Sequence, residues 1–284
     1  MKIPDNTKIQ SVDLKVKNLE ESLRFYSELL GFKIISENNS TAELSANGNG
    51  PYLIKLTEDK NALRRQRGTT GLFHTAFRFP DRTELGRVFL RLFRNNVKFQ
   101  GFSDHLVSEA IYLADPDENG VELYADKPRS EWVNNMGQIM MDTLPLDLSL
   151  ITAGIDENEQ WRGIHPAADI GHIHLNVSDL QKAQKFYSLL LGMNVTNSMY
   201  NGALFFSAGG YHHHIGTNIW SSRNGSPAPE NTAGLLKYTI NIPDENYLNE
   251  LEKRYSEAGL TASQLKNGEF EVLDFDKIKI KLTL

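Results

Sequence analysis

The chain repeats itself, and that repetition constrains the fold more than any other feature. The segment LKVKNLEESLRFYSELLGFKI, from Leu14, aligns without gaps with LNVSDLQKAQKFYSLLLGMNV, from Leu175. Leu14 matches Leu175, Val16 matches Val177, Leu19 matches Leu180, Phe25-Tyr26 matches Phe186-Tyr187, and Leu30-Gly31 matches Leu191-Gly192. Self-similarity over such a stretch requires each copy to form the same supersecondary unit. The opening residues alternate apolar and polar, which predicts a strand. Leu19, Leu23, Tyr26 and Leu30 then recur at three- and four-residue spacing, which predicts an amphipathic helix. Gly31 and Gly192 stand where a left-handed C-cap would end it.

A second pair is weaker. TGLFHTAFRFPDRTEL, from Thr70, resembles AGLLKYTINIPDENYL, from Ala233. Gly71 matches Gly234, Leu72 matches Leu235, and Pro80-Asp81 matches Pro243-Asp244. Each is again a strand, a turn and a helix, followed by short strands near an Asp-x-Asp turn, DPDENGVELYAD and DFDKIKIKLTL. The chain therefore reads as four modules, near 8–58, 70–126, 169–221 and 234–284. Modules one and two occupy 1–126, a connector runs over 127–168, and modules three and four fill 169–284. The connector holds DTLPLDLSL, which offers a short helix, and the polar run GIDENEQWRG. A stretch that long without a module of its own is uncommon inside a compact domain.

Composition narrows the chemistry. Of 284 residues none is cysteine, so disulfides, thiolate nucleophiles and Cys-ligated metal are excluded. Any metal must use His, Asp or Glu. The net charge is −6 with both signs spread along the chain, so no basic stripe predicts nucleic acid or an anionic membrane surface. No run of about 18 apolar residues predicts a membrane span. The opening MKIPDNTKIQSVDL lacks the apolar core of a signal peptide. These features lead us to expect a soluble, cytoplasmic protein, with a symmetric homo-oligomer as the default assembly.

The repeated strand-helix phrase resembles the glyoxalase/bleomycin-resistance/extradiol-dioxygenase superfamily over nearly the whole chain. The resemblance implies an α+β fold in which four βαβββ modules form two curved, half-open barrels, the vicinal oxygen chelate fold. SDHLVSEAIYLADPDENGVELYAD is more specific. It looks like an extradiol dioxygenase signature, carried here by His105, Ile111-Tyr112, Asp115-Pro116 and Glu122. It departs at Glu118, where that signature usually has Gly. The YHHHIG run of the third module resembles bacterial catechol-2,3-dioxygenase-like proteins, some of which act on hydroquinones.

In this superfamily the metal ligands lie on the first and last strands of a module. The first-strand position of H-x-x-L-x-V holds Ser11, His74, His172 and Lys237 in the four modules. The last-strand position holds Glu122 in the second and Lys281 in the fourth, lies near Ile54-Lys55 in the first, and is assigned to the His212-His213-His214 run in the third. Competent donors are His74, His172 and Glu122, a set of two imidazoles and one carboxylate that leaves positions open on Fe(II). His174, two residues beyond His172 on the same face, is the competing ligand. The same set also binds Mn(II) or Zn(II). Because these donors fall in modules two and three, we expect those two to pair around the metal, and module one to pair with module four.

The resemblance implies an Fe(II)-dependent ring-cleaving dioxygenase acting on a catechol or hydroquinone, with a small aromatic diol and O₂ as its partners. Such a reaction needs a proton acceptor and donor, a role suited to histidine. In an extended strand His212 and His214 would face one way and His213 the other. Alignment with the paired histidines of extradiol enzymes favours His213, and strand alignment with GVELY favours His212 and His214. Tyr112 is implied as a hydrogen-bond donor to substrate, and His105 as a residue that orients it. Two other readings stay open. One is a glyoxalase-like or thiol-transferring enzyme using another divalent metal, a class that more often has four protein ligands. The other is a binding or resistance protein that holds a small aromatic without chemistry.

Overall fold

The computed structural model describes residues 2–156, 158–265 and 268–284. The first strands of the four modules are Lys8–Val16, Gly71–Phe79, Asp169–Asn176 and Gly234–Asn241. They meet in antiparallel pairs, and each pair is the centre of a sheet. Lys8–Val16 lies beside Gly234–Asn241 in an eight-stranded sheet. Gly71–Phe79 lies beside Asp169–Asn176 in a nine-stranded sheet. Each first strand carries its own module's last strand on the outer side, in parallel register. These last strands are Ile54–Glu58, Gly120–Asp126, Ile215–Asn218 and Lys279–Thr283. Modules one and four thus form one sheet, and modules two and three form the other. The architecture is α+β, with one apolar core running through both sheets.

Local chemistry explains the repeated unit. Each helix opens on a side chain that accepts from its first turn: Asn18, Asp81, Asp179 and Asp244. These caps satisfy backbone donors that a helix start leaves unpaired. In modules one and three the helix widens into π-helical turns, Arg24–Leu29 and Lys185–Leu190, which sequence spacing does not reveal. Gly31 and Gly192 follow at φ 87° and 85°, a conformation that favours glycine. The two Asp-x-Asp turns place Glu118 and Lys277 at φ 66° and 63°. The departure at Glu118 is therefore accommodated, and the turn forms without glycine.

The connector holds three two-residue strands, Asn134–Asn135, Gln138–Ile139 and Leu144–Pro145, and a short helix, Leu148–Thr152. The last of these strands lengthens the nine-stranded sheet by pairing with Gly101–Asp104. The helix comes so near that a Cβ on Gly86 would lie 1.8 Å from the Ile151 carbonyl oxygen. Glu157 of the polar run lies outside the described residues.

Two buried tyrosines tie the sheets together. Tyr26 of module one donates to Asp115 of module two at 3.0 Å, and Tyr187 of module three donates to Asp274 of module four at 2.8 Å. Both are the Tyr of the repeated Phe-Tyr pair. Burial outweighs the donors around each carboxyl, pushing Asp115 up to about 6 and Asp274 up to about 7. The unfolded chain titrates near 3.8, so between these values the folded state holds more protons. The stability these two groups contribute is complete below about pH 4 and is lost as pH rises through 6 and 7. We expect Asp274→Asn to flatten that loss by up to about 4 kcal/mol. Urea midpoints of the variant and the unmodified protein between pH 4.5 and 7.5 check it. Parallel pH profiles would remove Asp274 as the cause.

Candidate metal centre

The concave face of the nine-stranded sheet encloses a cavity of about 390 Å³. His74, Glu122 and His172 line it, and one potential ligand atom from each falls within 4.8 Å of the others. The pleat puts them there. His74 lies on one first strand, His172 on its antiparallel neighbour, and Glu122 on the parallel strand beside the first, where it faces Ala76. The Glu122 Oε2 atom lies 2.8 Å from His74 Nε2 and 3.1 Å from His172 Nε2. All three side chains are buried. His172 Nδ1 is buried without a partner, as is His174 Nε2.

The electrostatics suit a cation. Burial works against ionisation of Glu122, yet His172 and His74 beside it hold its carboxyl well below the usual carboxylate range. Burial pushes His172 down to about 4, so its imidazole is neutral at neutral pH. Metal binding requires ligands in these protonation states, an ionised carboxylate and neutral imidazole. Two nitrogens converging on one buried carboxylate oxygen fit a divalent ion with three protein donors. His174 lies within the cavity wall but not within the three-donor group.

Strand register gives the equivalent position in every module. The residue two beyond each first-strand position faces the last-strand position, giving Asp13 with Lys55, Ala76 with Glu122, His174 with Gly216, and Thr239 with Lys281. In the third module the last-strand position is therefore Gly216, not a member of the histidine run. Its missing side chain makes room for the His174 ring, three atoms of which would lie 3.0–3.2 Å from a Cβ there. In the other sheet the equivalent positions are filled by internal pairing. Ser11 donates to Thr239 at 3.0 Å, Lys55 meets Glu43 at 2.8 Å, Lys237 meets Glu271 at 2.6 Å, and Lys281 meets Glu269 at 2.8 Å. Three lysine ammoniums there oppose a bound cation.

The histidine run is not a strand. It is an irregular segment that ends where the Ile215–Asn218 strand begins. Strict alternation of facing therefore does not apply, and His213 lines the cavity while His212 and His214 do not. The ring of His213 lies 4.0 Å from that of His172. His214 turns away, its Nδ1 atom 2.9 Å from Ser207 Oγ. It thus stands outside the cavity lining, in a segment where the loop and not a strand sets its direction.

Tyr112 and His105 complete one wall. His105 Nδ1 meets the Asp142 carbonyl oxygen at 2.7 Å, and His105 Nε2 meets the Tyr112 hydroxyl at 2.6 Å. A carbonyl only accepts, so Nδ1 carries a proton, and with that proton there Nε2 is the position that accepts the Tyr112 O–H. Phe73, Tyr200, Phe205 and Trp220 add aromatic surface to the lining, clustered around His174. Among the described residues, no Lys or Arg lines this cavity. Sequence reasoning did not single out Gly216 or Asp126. A larger groove of about 530 Å³ lies between the Arg82–Arg94 helix and the connector, and holds none of the three donors.

Comparison with known proteins bears on the family and the fold. The family model of the Glyoxalase/Bleomycin resistance protein/Dioxygenase superfamily matches residues 8–123 and 169–253. A Bacillus subtilis protein named catechol-2,3-dioxygenase is 41% identical over 277 residues, covering 96% of this chain and 95% of its own. Among solved structures, a provisionally assigned dioxygenase of Bacillus subtilis matches with a TM-score of 0.70 at 12% identity, covering 99% of this chain and 86% of its own. Maize glyoxalase I matches with a TM-score of 0.60 at 16% identity, covering 98% and 92%. At such identities the structural likenesses speak for the fold alone.

Proposed function

We infer the reaction from one premise: the chain belongs to the Glyoxalase/Bleomycin resistance protein/Dioxygenase superfamily. We propose that it is an extradiol-type dioxygenase that opens the ring of a small aromatic diol with O₂. The observation that carries this reading is the buried His74–Glu122–His172 group combined with glycine at the fourth symmetric position. A glyoxalase-like enzyme would more often use that position for a fourth protein ligand. Three protein donors leave open places for a chelating diol and for O₂. The catechol-2,3-dioxygenase relative points the same way.

His74, His172 and Glu122 would hold the metal, for which Fe(II) is our assignment. When bound, Fe(II) supplies Lewis acidity toward the diol and a binding place for O₂. The protein's own groups do the rest. Phe73, Phe205 and Trp220 offer ring surfaces for a flat aromatic and keep water off one side. Tyr112, whose proton goes to His105 in this geometry, would turn that proton to a substrate oxygen on binding. His213, beside His172, takes a diol proton and returns it as bond cleavage requires. Burial keeps His213 well below its ordinary value, so it begins neutral and able to accept.

The test is O₂ uptake by Fe(II)-loaded protein, prepared anaerobically, with catechol, methylcatechol and methylhydroquinone. Uptake matched by a ring-opened product supports the proposal. We expect His213→Ala to retain metal and lose about 100-fold or more in kcat. Tight metal binding with no uptake for any diol would shift the assignment to a glyoxalase-like reaction. No metal binding at all would leave a small-aromatic binding protein.

A further inference from the structure

Behind His213 stands a hydrogen-bonded line that the reaction as proposed does not use. His213 Nδ1 lies 2.7 Å from His212 Nδ1, and His212 Nε2 lies 2.9 Å from Asp126 Oδ1. His212 is completely buried, with its ring 4.0 Å from that of Tyr211 and 5.2 Å from that of Trp132. Asp126 also accepts from Tyr211 at 3.0 Å and meets Arg78 at 3.4 Å. These contacts keep the carboxylate ionised and its position fixed.

The direction of each bond follows from what each atom can do. An ionised carboxylate only accepts, so His212 Nε2 carries its proton. With its ring proton on Nε2, His212 is an acceptor at Nδ1, and the proton between the two rings belongs to His213 Nδ1. Because His213 lines the cavity, the nitrogen left bare is its Nε2. We propose that His212, anchored by Asp126, is a positioning residue that holds His213 as its Nδ1–H tautomer with Nε2 free to accept a substrate proton.

This inference rests on His213 as the acid–base group of the proposed reaction and assigns what sets it up. The diol O–H bond breaks, its electron pair stays on oxygen, and the proton forms a new N–H bond at His213 Nε2. The Nδ1 proton remains where it was, now between an imidazolium and His212. Asp126 offsets the added positive charge through His212. In the opposite tautomer, Nε2 would already be protonated and the first transfer could not begin. A single bond to a fixed acceptor therefore selects between a competent base and an incompetent one.

The experiment reads the tautomer directly. Long-range ¹H–¹⁵N correlation of the imidazoles in Zn(II)-loaded and metal-free protein assigns protonated and bare nitrogens for each ring. We expect His213 protonated at Nδ1 in the unmodified protein. His212→Phe removes the acceptor but keeps a ring, and should let the Nε2–H form appear. Asp126→Asn, whose amide can donate to His212 Nε2, should reverse both rings. In Fe(II)-loaded enzyme we expect His212→Phe to lower kcat by about 10- to 100-fold with KM nearly unchanged. An Nε2–H tautomer in the unmodified protein, or no tautomer change in either variant, overturns the proposal. Should the unmodified enzyme consume no diol, the dioxygenase assignment fails, while the tautomer readout still decides this one.

Discussion

Glu122→Gln should abolish tight metal binding while leaving the metal-free protein folded. Glu122 is the one carboxylate in the group, and its Oε2 is the point on which His74 and His172 converge. Gln keeps the shape and removes the charge, so two imidazoles alone are left to hold a divalent cation in a buried place. Loss of a partner that merely supports a ligand costs about 10- to 100-fold in affinity, so loss of a charged ligand should cost at least about 100-fold. Turnover at a fixed low metal concentration should fall by a similar factor or more. The metal-free variant escapes most of the penalty, because replacing a buried carboxylate by an amide also removes a desolvation cost. We expect its urea midpoint to move by no more than about 1 kcal/mol equivalent. The d–d absorption of added Co(II) measures binding without reference to turnover. Binding of Co(II) by the variant with unaltered affinity and spectrum would remove Glu122 from the ligand set.

Much of this architecture could be read from the residues, for identifiable reasons. The Leu14 and Leu175 segments share a burial pattern because each must cover its own module's strands with one helix, so their likeness carries the module. The α+β class follows from that repetition. His74, His172 and Glu122 were legible because titratable groups on an alternating strand are a chemical signal. Gly216 was not, since an absent side chain gives no signal until strand register is known. Which histidine of the run faces the cavity stayed open in the sequence for a backbone reason. Gly209 and Gly210 take φ 60° and 68°, and a Cβ on Gly209 would lie 2.4 Å from the Asp5 carbonyl oxygen. The chain therefore turns sharply before the histidines and does not start its strand until Ile215. Alternation, on which the reading of His214 depended, presumes the extended backbone that these glycines interrupt. The line from Asp126 to His213 was equally hidden, because it spans two modules.

Gly120→Ala should cost the protein both stability and metal, in contrast with Glu122→Gln. Gly120 opens the strand that carries Glu122 and faces His74 in parallel register. A Cβ at this position would lie 2.1 Å from the Phe73 carbonyl oxygen and 2.9 Å from His74 Cβ. Unbonded heavy atoms rest at about 3.5–4.0 Å, so relief requires a shift of about 1 Å or more. The obstacle is backbone within a sheet and cannot rotate away. Gly216 differs, because what lies over it is the side chain of His174. We expect a loss of about 3 kcal/mol, a large part of the stability of an ordinary domain. The shift falls between the strands that carry His74 and Glu122, whereas metal–ligand distances tolerate only about ±0.2 Å. Metal affinity should therefore fall by at least about 10-fold, even though every ligand is retained. Urea unfolding with and without saturating Zn(II) separates the two effects. The variant should show a lower midpoint without metal and a smaller gain on adding it. An unchanged metal-free midpoint would mean that the two strands part without cost. A lowered midpoint with a full metal gain would mean that the ligand group moves as a rigid unit, independent of the strand spacing beneath it.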